Sequence, residues 1–246
     1  MLQNIQDMHY DFKQKLNKID AEKYRNLRVP EIDWKLREAE EVFIKMIAEP
    51  RYRMALGFET SQRSIDDIKN IVVNFTDLQA ISAIKISDAE YYFVLPTDYM
   101  YYISSYVKCK KGSCTKKIRT HIRQHDDKFQ ESSFNRSSFE WEDVNGVFYE
   151  KGLKIFTDNS FEVESLIPNY IRKPRMMHNA AAYMNNAAAY MNGTYNLPDG
   201  TTLTGTVSSE LPVSTYSEIV DIAVLITTGD LIPDYNVKQA KLGITN

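Results

Sequence analysis

A chain of 246 residues bounds the answer to one domain or two small ones. Its 43% apolar content can fill a core and its 26% charged content is ordinary, while 9 Gly and 8 Pro are too few for a collagenous or low-complexity chain. A net charge of −3 excludes a chain-wide basic wrapper of nucleic acid. The 16 Tyr and 11 Phe stand out, because such rings serve both as strand residues and as rigid interface surface. Two cysteines, Cys109 and Cys114, are too few for a disulfide-stapled secreted domain. The opening MLQNIQDMHYDFKQKL lacks the basic and apolar regions of a signal peptide. The most apolar run, Ile219 to Ile226, is broken by Asp221 and falls far short of the roughly 20 residues of a membrane span. The expectation is a soluble product of a cytoplasm, with no membrane partner.

In chain order, Leu2, Ile5, His9, Phe12, Leu16 and Ile19 recur at helical spacing and make one apolar stripe. A second helix opens at Pro30 and Glu31, with Glu31 and Asp33 suited to the positive end of the helix dipole. It carries Ile32, Leu36, Ala39, Phe43 and Met46 inward and stops at Pro50, with Glu38, Glu40 and Glu41 on an exposed face. A third helix is predicted from Ser64, with Ile65, Ile68 and Val72 facing inward. From about Ile81 to Arg172 the chain turns to Tyr, Phe, Val, Ile and Ser. Tyr99 to Val107 and Thr115 to Arg123 read as a hairpin around Lys110-Lys111-Gly112-Ser113. Residues 146–149, 153–157 and 161–166 read as an antiparallel meander, and Tyr170-Ile171-Arg172 as a further short strand.

Residues 179–185 and 186–192 are a tandem copy of Asn-Ala-Ala-Ala-Tyr-Met-Asn. A seven-residue period stacks Tyr183 with Tyr190 and Met184 with Met191. This reads either as a duplicated heptad in one short helix or as a docking arm. A loop or hairpin turning at Pro198-Asp199-Gly200 follows. The last long helix starts near Thr215, buries Ile219, Ile222, Ala223 and Ile226, and is capped by Gly229, with a short final helix from Asp234 to Leu242. The predicted class is α+β: a helical bundle of the N- and C-terminal segments with an inserted antiparallel β-rich region. The expected parts are 1–80, the first half of the bundle; 81–178, the β insertion with its basic hairpin; and 179–246, the repeat arm, loop and closing helices.

No phosphate loop, nucleophile elbow or H-E-x-x-H motif occurs, so no catalytic or cofactor residue is assigned. Cys109, Cys114, His121 and His125 read as C-x4-C-x6-H-x3-H and are all zinc-ligand types. Their central spacing is too short for a ββα finger, and a straight strand at about 3.3 Å per residue carries His125 out of reach. A zinc site would need the chain to bend back near His121, and a hairpin-tip disulfide is the other use of the cysteines. The same stretch is basic: Lys108, Lys110, Lys111, Lys116, Lys117, Arg119 and Arg123 lie in 99–125 with no acid among them. That is either a solvated hairpin or a finger for DNA phosphates or an acidic protein surface. Residues 196–246 carry six acids and two lysines, so one subunit's finger would complement its neighbour's C-terminal part.

Several longer patterns resemble a known family. "Phe12…Leu16-Asn17-Lys18-Ile19…Glu31-Ile32-Asp33-Trp34-Lys35-Leu36-Arg37-Glu38-Ala39" is similar to the opening of head–tail connector proteins of tailed bacteriophages, above all the adaptor or ring proteins of crAss-like phages. "Glu59-Thr60-Ser61-Gln62-Arg63-Ser64-Ile65-Asp66-Asp67", "Phe134-Asn135-Arg136…Asn145-Gly146-Val147", "Tyr170-Ile171-Arg172-Lys173-Pro174" and "Leu211-Pro212…Glu218-Ile219-Val220-Asp221-Ile222-Ala223-Val224" extend the likeness. The resemblance implies a structural virion protein, not an enzyme, without cofactor. It implies a homo-oligomeric ring, commonly of twelve copies, between portal protein and tail, assembled in the host bacterial cytoplasm with genomic DNA passing through its channel. Two alternatives stand beside it: a monomeric nucleic-acid-binding module using the hairpin 108–123, and a metal-dependent hydrolase using His121, His125 and Asp126 or Asp127.

Overall fold

The computed structural model describes residues 3–19, 27–48, 66–124, 136–180, 194–196 and 202–231. The chain divides into two compact units, 72–173 and the pair of segments 1–71 and 174–246.

The unit 72–173 is a sheet. Its strands are β1 (Val72–Asn74), β2 (Ile81–Ser82), β3 (Ile84–Lys85), β4 (Glu90–Val94), β5 (Tyr99–Lys111), β6 (Cys114–Ile122), β7 (Val144–Tyr149), β8 (Gly152–Phe156) and β9 (Glu162–Arg172). Their order is β1-β9-β5-β6-β7-β8-β4-β3, with β2 also on β9. Every pair is antiparallel except β6–β7. The extended segment 81–85 joins the two ends of this order. Ile81 and Ser82 pair with Leu166 and Ser165 of β9, the Ala83 N–H donates to the Glu164 carbonyl, and Ile84 and Lys85 pair with Tyr92 and Tyr91 of β4. The sheet therefore closes on itself, which removes most of the open edge that a flat sheet exposes.

One apolar core fills the interior, drawn from around the whole ring: Phe93, Val107, Ile118, Val144, Ile155 and Leu166 are among its members. Alternation along each strand produces it. On β5, Ser105, Val107 and Cys109 are buried while Lys108 and Lys110 are exposed; on β6, Ile118 and Thr120 are buried while Lys117, Arg119 and His121 are exposed. Gly152 permits the close approach of β8 to β4, since a Cβ there would stand 2.3 Å from the Phe93 carbonyl oxygen.

The other unit holds three α-helices among the described residues: α1 (Ile5–Ile19), α2 (Val29–Ala48) and α3 (Tyr216–Leu231). The predicted stripes are buried, with Ile5, His9, Phe12 and Leu16 on α1 and Ile32, Leu36, Ala39 and Phe43 on α2. Helix α3 packs against both, and Lys15 of α1 bridges to Asp221 of α3 at 2.7 Å. A small hairpin pairs β10 (Thr194–Asn196) with β11 (Thr202–Thr204).

Several expectations are overturned. The protein is dominated by a large mixed sheet of nine strands with few short helices, so it is not a helical bundle carrying a β insertion. Helical periodicity identified α1, α2 and α3, while the predicted helix 234–242 lies outside the described residues, and the long pairings of β5 and β9 set the architecture. The meander is also corrected: β7 and β8 form a hairpin, but β9 leaves β8 and pairs with β5 along its length. Val72 lies in β1 and not on a helix face, because its partner Ile171 captures it in the sheet. Gly229 lies inside α3 and does not cap it. No helix among the described residues is long and apolar enough to cross a membrane.

Candidate functional site

The basic hairpin exists, and Gly112 makes its turn possible. Lys111 pairs with Cys114, leaving Gly112 and Ser113 as a two-residue loop, and Gly112 at φ +61° supplies the left-handed first position that such a loop needs. The two cysteines are not opposite each other. Cys109 faces Lys116 across the strands and Cys114 faces Lys111, so a diagonal of about 7–8 Å separates their backbones, beyond disulfide reach. Both are free thiols, Cys109 buried and Cys114 exposed. Burial, with Glu164 adding to it, pushes the Cys109 thiol up to about 12, so it is no thiolate at neutral pH.

The zinc set is not assembled. Cys109 points into the core, Cys114 sits at the tip, and His121 lies seven residues further along β6 on the opposite face from Cys109. At about 3.3 Å per residue, Cys114 and His121 stand roughly 23 Å apart. His121 Nε2 instead lies 3.7 Å from Asp143 Oδ1. His125, Asp126 and Asp127 fall outside the described residues, as do Tyr183, Met184, Tyr190 and Met191 of the repeat. Among the described residues no three His, Cys, Asp or Glu side chains gather as a metal would need.

The seven cations are brought together, but with acids that linear reading did not place beside them. Lys111 meets Glu140 at 2.9 Å, Lys116 meets Glu142 at 3.0 Å, and Lys117 meets Asp77 at 3.2 Å. Lys108 and Lys110 lie 3.6 and 4.0 Å from Glu164. Arg123 Nε donates to Asn145 Oδ1 at 2.7 Å. Arg119 has no ion pair among the described residues, and stands directly across the strands from Tyr106. Five of the seven cations thus share four carboxylates, so the hairpin in place is less basic than its own sequence but still positive.

Strand alternation divides these groups between two faces. Lys108, Lys110, Lys117, Arg119 and Tyr106 lie outward, with the Lys117 ammonium 5.7 Å from the Tyr106 ring centroid. Lys111 and Lys116 lie on the inward parity, where residues 138–143 cover them. The Lys116 ammonium lies 5.1 Å from the Phe139 ring centroid, and Phe139 packs at 5.9 Å on Phe161. That turn is fastened by two backbone hydrogen bonds between Ser138 and Asp143 and bends through Glu142 at φ +53°. Its apex presents Trp141, 86% exposed. On the 3-10 turn Asp77–Gln79, next to the acid that holds Lys117, Leu78 is 98% exposed. Sequence reading missed Leu78, Trp141 and the four acids. The one available signal was Glu140-Trp141-Glu142, a tryptophan between acids in a stretch without periodicity.

The helical unit holds a second polar cluster, buried except for the half-buried Arg37. Asp33 Oδ1 lies 2.7 Å from His9 Nε2, and Asp33 Oδ2 accepts the Asn179 N–H at 3.2 Å. One turn on, Arg37 Nε donates to the Met177 carbonyl at 2.6 Å. Glu40 accepts from the Ser209 hydroxyl, whose oxygen also accepts the Leu211 N–H, while the Tyr216 hydroxyl donates to the Ser209 carbonyl at 2.9 Å. Burial raises the Glu40 carboxyl to about 7, against the opposing pull of the Ser209 hydrogen bond. The expected exposed acidic face therefore holds for Glu38 and Glu41 and fails for Glu40. This cluster ties α2 to two distant chain segments.

No known protein family matches the chain, and no curated protein matches it either.

Proposed function

We propose that this protein is a structural virion component, a subunit of a head–tail connector ring that joins portal to tail and surrounds the path of the genome. The reading rests on the sequence resemblance described above. The structural observation that supports it best is the exposure of large apolar side chains on fastened turns, Trp141 and Leu78 foremost, beside a charged strand pair. Exposed aromatic and aliphatic groups ringed by charge are the composition of protein–protein contact surfaces. The partial compensation of the hairpin's cations weighs against the nucleic-acid-binding alternative. Affinity for a phosphate backbone comes from uncompensated cations, and five of the seven here already face a carboxylate. A channel subunit has no need of tight phosphate binding, since DNA must move past it.

The test is the mass of the full chain in solution, alone and with the portal protein of the same phage, by mass photometry. A closed ring-sized species or a stoichiometric portal complex is the expected result. A monomer that ignores portal overturns the reading.

A further inference from the structure

The tip of the β5–β6 hairpin carries two unlike surfaces on opposite faces of the same two strands. On one face the turn 138–143 holds up Trp141 between Glu140 and Glu142. On the other, Tyr106 and Arg119 stand side by side, flanked by Lys108, Lys110 and Lys117. We infer that these are the two halves of one head-to-tail contact between copies of this chain, Trp141 of one copy seating on the Tyr106–Arg119 face of the next. The inference rests on the ring reading above and names the surfaces that would close such a ring.

Four observations carry it. First, Trp141 is held rigidly. Its turn is tied by the Ser138–Asp143 backbone pair, and it accepts a left-handed residue at Glu142 to make the bend. A strained, fastened turn with a tryptophan at its apex is preorganised for docking, so little order is lost on binding. Second, the opposite face offers what an indole seeks: an aromatic ring and a guanidinium without an ion pair among the described residues. Third, the charges match. The knob is bracketed by Glu140 and Glu142, and the receiving face holds Arg119 with no ion pair among the described residues, beside lysines that share Glu164 and Asp77. The existing ion pairs are exposed and individually weak, so exchanging them for pairs with a neighbour costs little. Fourth, the two surfaces face opposite ways. A two-fold contact sets residue i on j and j on i across one shared face, so patches on opposite faces cannot both be satisfied that way. Unlike patches on opposite faces repeat from copy to copy, and such a contact closes into a ring when its rotation allows.

Sedimentation of the full chain tests this, with Trp141→Glu and Arg119→Glu as separate variants. Wild type assembles. Each variant alone falls to monomer, with self-association weakened by at least about 30-fold, the scale of losing a central tryptophan or arginine anchor. An equimolar mixture of the two variants restores a dimer and nothing larger. In that mixture the intact knob of the Arg119→Glu copy meets the intact face of the Trp141→Glu copy, and no second contact is complete. A folding readout is built in, because the chain has only two tryptophans. In a Trp34→Phe background the emission of Trp141 shifts to shorter wavelength on assembly.

The outcomes separate. If wild type forms rings and Trp141→Glu forms them equally well, or if Trp141 emission stays that of a water-exposed indole in the ring, the proposed contact is wrong and the ring reading stands. If the mixture fails to give a dimer although each variant is folded, the contact is not head-to-tail. If wild type binds portal but never itself, a second copy is the wrong occupant. If it does neither, both readings fall.

Discussion

The two units keep their charges in opposite places. In the sheet unit the interior is almost wholly apolar, and the ion pairs of the hairpin lie at the surface between exposed side chains. The helical unit has surface pairs as well, Lys35 with Glu38 among them, but its distinctive charged and titratable groups are inside: His9, Asp33 and Glu40 are all buried along the packed faces of α1 and α2. The contrast follows from what holds each unit together. A closed sheet satisfies its backbone through its own ladders, so its side chains are free to form a dry core. Helix α2 must capture chain at 177–179 and 209–211 that has little regular pairing of its own. It does so with side chains spaced at four and three residues on one face, Asp33, Arg37 and Glu40. Buried polar contacts of that kind are costly to break, and surface pairs are not.

The sharpest way to break the comparison is to remove a buried partner. Asp33→Ala leaves the His9 ring and the Asn179 N–H without their acceptor, and a loss of about 3–5 kcal/mol is expected, the usual range for uncovering half of a buried pair. Hydrogen exchange should show the loss in the helical unit, at amides of α1 and α2, with the sheet amides protected as before.

A smaller effect comes from pH. The folded state holds the Glu40 proton up to about 7 where the unfolded chain releases it near 4.5. The folded state therefore binds the extra proton between those values. The stability that Glu40 contributes is complete below 4.5, falls as pH rises through 7 by at most about 1.4 kcal/mol per pH unit, and is flat above. Glu40→Gln removes that slope. Denaturant midpoints of wild type and variant should lie close at pH 5 and separate at pH 8, only through the fall of the wild type. Equal midpoint shifts in both proteins would mean that another group carries the dependence.

The smallest effect belongs to the hairpin. Lys117→Ala removes the pair with Asp77 and the contact with the Tyr106 ring, both at the surface. A change under about 1 kcal/mol in the thermal midpoint is expected. A larger loss would show that the outer face of the hairpin is structural, and would weaken the case that it is kept for a partner.

The alternation of Val107 and Cys109 with Lys108 and Lys110, and the recurrence of Ile5, His9, Phe12 and Leu16 at helical spacing, are local signals. They were legible because a strand repeats every two residues and a helix every 3.6. The polar members of the helix faces were less so. His9 lay openly within an apolar stripe, but Asp33 also suited a helix start and Glu40 sat among exposed acids, and only the arrival of Asn179 and Ser209 distinguishes them. Nothing near Lys111, Lys116 or Lys117 announces Glu140, Glu142 or Asp77, which are 26 to 40 residues away in the chain.

By itself, then, the amino-acid order determined the helices α1, α2 and α3, the strands β5 to β9, the hairpin turn at Gly112, and which apolar side chains of α1 and α2 face inward, because these follow from short-range geometry. Tertiary structure alone decided that the strands close into one sheet, that β9 crosses to β5, that Glu40 is buried, and that five of the finger's seven cations face carboxylates. Pairing partners and electrostatic neighbours are chosen by the free energy of the whole packed unit, and residues distant in sequence enter that balance on equal terms with adjacent ones.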